Sequence, residues 1–90
     1  MYAIYPATNF VAIVPSNTAK IQYDSRNVMA RAIYVGVGGD IACRSADGTS
    51  VVFKDVPTGS VLPIATDQVF STGTGATNLV ALLDNNEQLN

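Results

Sequence analysis

Ninety residues, of which 48% are hydrophobic and only 13% charged, make one domain with a thin core, burying roughly 60–65% of the surface its unfolded chain exposes. Soluble domains average roughly 25% charged residues, so the polar coat here falls to 24 Ser, Thr, Asn and Gln residues, which lose little when another protein covers them. The net charge is −2 and the five basic residues, Lys20, Arg26, Arg31, Arg44 and Lys54, are scattered, so no basic stripe exists to hold nucleic acid. No apolar run approaches the roughly 18 residues that cross a bilayer, so no membrane role is expected.

Met1-Tyr2-Ala3-Ile4-Tyr5-Pro6 lacks the charged region and apolar block of a signal peptide, and synthesis in the cytoplasm without processing is expected. Residues 1–29 read as an N-terminal arm with one or two short strands. Phe10-Val11-Ala12-Ile13-Val14 is long enough for one, and Lys20-Ile21-Gln22-Tyr23 alternates briefly. Ser16-Asn17-Thr18 and Asp24-Ser25 precede no helical periodicity, and loops are expected there.

Residues 30–83 read as a β-sandwich body. Ala30-Arg31-Ala32-Ile33-Tyr34-Val35 alternates, and Gly36-Val37-Gly38-Gly39-Asp40 then predicts a hairpin turn. Ile41-Ala42-Cys43-Arg44-Ser45 and Ser50-Val51-Val52-Phe53-Lys54 flank Asp47-Gly48, which predicts a hairpin. Val56-Pro57-Thr58-Gly59 is a further turn. Ser60-Val61-Leu62-Pro63-Ile64 follows as a strand that belongs at a sheet edge or a bulge, because Pro63 donates no ladder hydrogen bond. Gln68-Val69-Phe70-Ser71 and Asn78-Leu79-Val80-Ala81-Leu82-Leu83 complete the set, the latter too short and too closely preceded by glycines to be a helix. Residues 84–90 read as a mobile polar tail. The fold class is therefore all-β: a small antiparallel β-sandwich or barrel-like module of six to seven short strands with an extended N-terminal arm. Its open edges must be covered by the arm or by a neighbouring chain.

Chemistry finds no foothold in this pattern. Without histidine, a Ser or Cys nucleophile has no usual base, and Lys20 and Lys54 sit in no recognisable motif, so no catalytic residue is assigned and no enzyme is expected. Asp40, Asp47, Asp55 and Asp67 lie beside turn glycines or at strand ends, where Asp serves local hydrogen bonding. Cys43 falls on one strand face with Ile41 and reads as a buried, inert thiol. No metal set and no cofactor motif is present; Gly36-Val37-Gly38-Gly39 fails the dinucleotide fingerprint because position 41 is Ile41. Function is then sought in surfaces. Tyr2, Tyr5, Phe10, Tyr34 and Pro63 are the candidate protein-interface residues: the aromatics bury large area at low conformational cost, and Pro63 marks an edge. A carbohydrate-binding sandwich is an alternative, hampered by the absence of tryptophan and the crowding of tyrosines near the N-terminus.

The order Ala32-Ile33-Tyr34-Val35-Gly36, Gly39-Asp40-Ile41, Ala46-Asp47-Gly48, Val52-Phe53-Lys54-Asp55-Val56-Pro57-Thr58-Gly59, Leu62-Pro63 and Thr72-Gly73-Thr74-Gly75-Ala76-Thr77-Asn78-Leu79-Val80-Ala81-Leu82 resembles small head proteins of tailed bacteriophages and gene transfer agents. It is similar to their capsid decoration (cement) and head-spike-base group, over about residues 28–83. The resemblance implies a non-enzymatic virion protein on the outer surface of the capsid, stabilising contacts between major capsid proteins. The implied partners are the major capsid protein, further copies of itself as a homotrimer or else a homopentamer, and a spike or fibre protein. A head-spike base, or a tail or baseplate adaptor, is the alternative it leaves open.

Overall fold

The computed structural model describes residues 7–83. Nine strands follow in chain order: β1 (Asn9–Ala12), β2 (Gln22–Tyr23), β3 (Arg26–Asn27), β4 (Ala32–Val37), β5 (Gly39–Ser45), β6 (Ser50–Val56), β7 (Val61–Leu62), β8 (Thr66–Val69) and β9 (Thr77–Leu83). Six have four or more residues, and the other three are two-residue pairings. All pairings are antiparallel, and no helix occurs among the described residues. The fold class is the one its alternating runs predict.

The strands form a four-stranded sheet in the order β1-β9-β4-β7 and a three-stranded sheet in the order β6-β5-β8, beside the small β2–β3 hairpin. Alternation decides which side chains meet between the sheets. Ile33 and Val35 of β4 and Leu79, Ala81 and Leu83 of β9 point inward, against Ile41 and Cys43 of β5 and Val69 of β8. Full burial of a Leu or Ile side chain contributes about 1.5–3 kcal/mol, so these few residues are the principal source of stability. The run 78–83 is a central strand, paired on both sides, rather than a helix.

The edges are treated differently. After β1 the chain crosses to the second sheet and lies along β8, where the Ser16 N–H donates to the Val69 carbonyl (2.9 Å) and the Ile21 N–H to the Asp67 carbonyl (2.9 Å). The Gln68 amide donates to the Ser16 carbonyl (3.0 Å). The edge at β8 is thus covered from within the chain. Strand β7 is an edge strand with Pro63 directly after it, in keeping with the missing donor. Strand β6 ends its sheet with nothing paired outside it among the described residues.

Two local expectations need correction. Residues 36–40 make no hairpin: β4 and β5 lie in different sheets, and the chain passes from one to the other at Gly38. The glycine there serves close approach, since a Cβ on Gly38 would overlap the Val56 carbonyl oxygen and lie 2.7 Å from the Thr58 nitrogen. Arg26-Asn27, where no strand was expected, pairs back on Gln22-Tyr23, the end of the alternating run at 20–23. Asp24 and Ser25 both adopt positive φ (55° and 64°), the backbone of a type I′ turn, and join β2 to β3 as a minimal hairpin.

Candidate interaction surface

Because Ile33, Val35, Leu79 and Ala81 face inward, their neighbours in the same strands form the outer face of the four-stranded sheet. One row runs Phe10, Leu82, Ala32 across β1, β9 and β4; the next runs Ala12, Val80, Tyr34, Val61 across all four strands. Phe10 is 64% exposed, Tyr34 41% and Val61 52%. Val14, two residues beyond Ala12, is exposed as well. None of these side chains carries charge, and none of the four strands holds a charged residue.

The charges gather on the other sheet. Asp40, Arg44, Lys54, Asp55 and Asp67 all lie in β5, β6 or β8. Arg44 donates twice to Asp67, Nε to Oδ1 at 3.0 Å and an η nitrogen to Oδ2 at 2.9 Å, with the Lys20 ammonium 3.7 Å from the same carboxylate. The Arg44 hydrogen bonds hold the Asp67 carboxyl below its usual range. Asp67 is therefore a cross-strand ion-pair partner, where a strand-end role was expected. Between Gly39 and Ile41 the β5–β6 ladder slips by one residue, and Asp55 has a positive φ of 52° at that bulge. Asp40 clamps it, accepting from the Asp55 N–H (2.9 Å) and the Lys54 ammonium (3.2 Å); the first of these bonds is the main cause of its lowered pKa. In the Asp47-Gly48 turn, Asp47 accepts from the Ser45 hydroxyl and from the Thr49 N–H, and its pKa is lowered chiefly by the former. Cys43 is buried, and desolvation pushes its thiol up. These carboxylates are engaged in holding strands and turns. No group of three metal-ligating side chains occurs among the described residues.

The five expected interface residues are distributed as follows. Phe10 and Tyr34 share the outer apolar face, in adjacent rows. Pro63 is exposed just past β7, at the rim of the same sheet. Tyr2, Tyr5 and the polar tail at 84–90 lie outside the described residues. The same outer face also holds Ala12, Ala32, Val61, Val80 and Leu82, which the sequence reading did not single out. The available signal was the unbroken apolar run Leu79-Val80-Ala81-Leu82-Leu83, which does not alternate and so puts apolar side chains on both faces of its sheet.

No protein-family profile matches the chain, and no curated protein does either. Among solved structures it matches a chain of the capsid of a native GTA (gene transfer agent) particle, computed with C5 symmetry. Identity is 31%, the TM-score is 0.72, and the match covers 90% of this chain and 92% of that one. The chain belongs to a family of phage-type capsid-related structural proteins.

Proposed function

We propose that this capsid-related protein is a non-enzymatic decoration, or cement, protein that docks on the outside of a phage-type head and stabilises contacts between major capsid proteins. The observation that carries the proposal is the uncharged outer face built from Phe10, Ala12, Ala32, Tyr34, Val61, Val80 and Leu82. A protein displayed on a shell needs one face that gives up water cheaply and another that keeps the particle soluble. Here one sheet lacks charge and the other carries it. Each contact can be modest, because many copies attach to a repeating lattice. Copies set around a three-fold or five-fold axis would match the symmetry of such a shell.

A second reading, the base of a head spike carrying a fibre, is favoured by one observation. The particle of the structural relative is described with five-fold symmetry, which a ring of five copies at a vertex would share.

The test is binding of the purified protein to capsids that lack it, followed by imaging of the reconstituted particle. Copies spread over the shell, with increased resistance to heat, support decoration. Copies confined to five-fold vertices support the spike base, and copies on the tail refute both. Phe10→Asp and Tyr34→Asp are expected to remove binding while leaving the melting temperature within a few degrees of wild type; retained binding would exclude this face as the contact.

A further inference from the structure

The second sheet ends at β6, seven residues long and unpaired on its outer side among the described residues. Its open hydrogen-bonding groups can be identified. Ala42 donates its N–H to the Thr74 hydroxyl (2.9 Å) and accepts from the Phe70 N–H (2.8 Å), so its polar groups face away from β6. Ala42 is paired with Val52, which makes this the wide, non-bonded kind of antiparallel pair. The N–H and C=O of Val52 therefore point to the open edge, and by alternation so do those of Ser50 and Lys54. Beside this edge, between the sheets, lies an apolar cleft of about 80 Å³ lined by Cys43, Val51, Phe53 and Ile64 among others.

We propose that β6 pairs with β6 of a second copy, antiparallel about a two-fold axis centred on Val52, to give a continuous six-stranded sheet. The register follows from the residues. Centring on Lys54 would set two ammonium groups opposite one another, which is unfavourable. Centring on Val52 sets each Lys54 opposite Ser50 of the other copy and makes Ser50, Val52 and Lys54 the bonded positions, so every open group on the edge finds a partner. Val51 and Phe53 then face Phe53 and Val51 of the other copy, an aromatic and β-branched pairing that joins the two clefts into one apolar interior. Lys54 commonly guards such edges, but here its ammonium is bound by Asp40 of its own chain. The contact is isologous and uses the sheet opposite the proposed shell-binding face; it goes beyond the proposed function, joining copies in pairs rather than building a three-fold or five-fold ring, and it shares no residue with the docking face.

Val52→Cys tests the register. The bonded pair at the axis places the two Cα atoms about 5.5 Å apart, within disulfide range, so mild oxidation should yield a covalent dimer. Ser50→Cys alone should yield none, whereas Ser50→Cys with Lys54→Cys should; Cys43 is buried and does not compete. Val52→Pro removes the N–H at the axis without touching the β5 ladder. Light scattering should show it at half the mass of the wild type in concentrated solution, with its β-sheet circular dichroism retained. A wild type with the mass of one chain, dimers that persist in Val52→Pro, or Ser50→Cys linking as readily as Val52→Cys would each overturn the proposal. Capsid binding by Val52→Pro is scored separately, so failure of the β6 contact and failure of the decoration reading are distinguishable. Should Val52→Pro lose its circular dichroism, the cysteine pair decides alone.

Discussion

Gly38→Ala is the substitution whose cost the geometry defines best. A methyl group there would overlap the Val56 carbonyl oxygen, lie 2.7 Å from the Thr58 nitrogen and 3.0 Å from the Pro57 carbonyl carbon, all of them backbone atoms that no rotamer change can move. The segment 56–58 must retreat, and overpacking of this kind costs about 1–3 kcal/mol. The retreat also stretches the bond from the Gly38 N–H to the Thr58 hydroxyl, 2.8 Å long, a net loss of about 0.5–1.5 kcal/mol. The sum, about 1.5–4.5 kcal/mol, is a large share of the stability of a domain this size and lowers Tm by roughly 6–36 °C. Two other glycines calibrate it. Gly75→Ala meets nothing within 4 Å and needs no unusual φ, so it should stay within about 0.5 kcal/mol of wild type. Gly48→Ala also meets nothing, but its φ of 94° imposes left-handed strain of about 1–2 kcal/mol. Urea unfolding of the three variants, compared by midpoint at constant slope, gives the order directly. A Gly38→Ala midpoint equal to that of Gly75→Ala would refute the claim that close backbone approach dictates this glycine.

Other outcomes follow from the core and the carboxylates. Ile33→Ala, at a fully buried position in the centre of the larger sheet, should cost about 2–5 kcal/mol by urea unfolding. Asp40, Asp47 and Asp67 are all held below their usual pKa. Their contribution to stability is present above the unfolded carboxylate value near 3.9 and is lost as pH falls through the lower folded values. Thermal melts should therefore show Tm falling between about pH 5 and pH 2, with a shallower slope in Asp67→Asn. Cys43 should react with a thiol reagent only as fast as the protein opens, and an immediate reaction under native conditions would contradict its burial.

The strands were legible where local chemistry and tertiary use agree. Asp47-Gly48 between two β-branched runs predicts β5 and β6 because the turn and the pairing involve the same ten or so residues. The glycines at 36–39 carry the same kind of signal but a different use: their constraint comes from residues 56–58 and 75–78, far away in sequence. The Asp24-Ser25 turn was hidden because residues with a Cβ seldom take two left-handed conformations in succession. Phe10 and Tyr34 stand out in the sequence as aromatics, and the structure leaves both exposed on one face. Their companions Val61, Val80 and Leu82 do not stand out, since an apolar side chain in a strand announces burial without saying whether its own fold or another molecule provides it.

The two outer faces show how that difference arises. On the smaller sheet Ala42 faces outward yet is buried, because the segment after β8 folds back over it, Thr74 bonding its N–H and Gly73 approaching its methyl group. Residues 16–21 cover the neighbouring edge. Among the described residues nothing comparable crosses the larger sheet, where Phe10, Tyr34 and Val61 stay exposed. Docking through that face removes apolar area and no charge, which sets a measurable signature. Raising salt from about 0.1 M to 1 M shortens the screening length from about 10 Å to about 3 Å. An interface made from this face should hold its affinity for capsids over that range and show a negative heat-capacity change. An interface made from the Asp40, Lys54 and Arg44 side would weaken steeply. Salt-sensitive release from capsids would therefore move the contact to the charged sheet, and with it the proposed orientation of the protein on the shell.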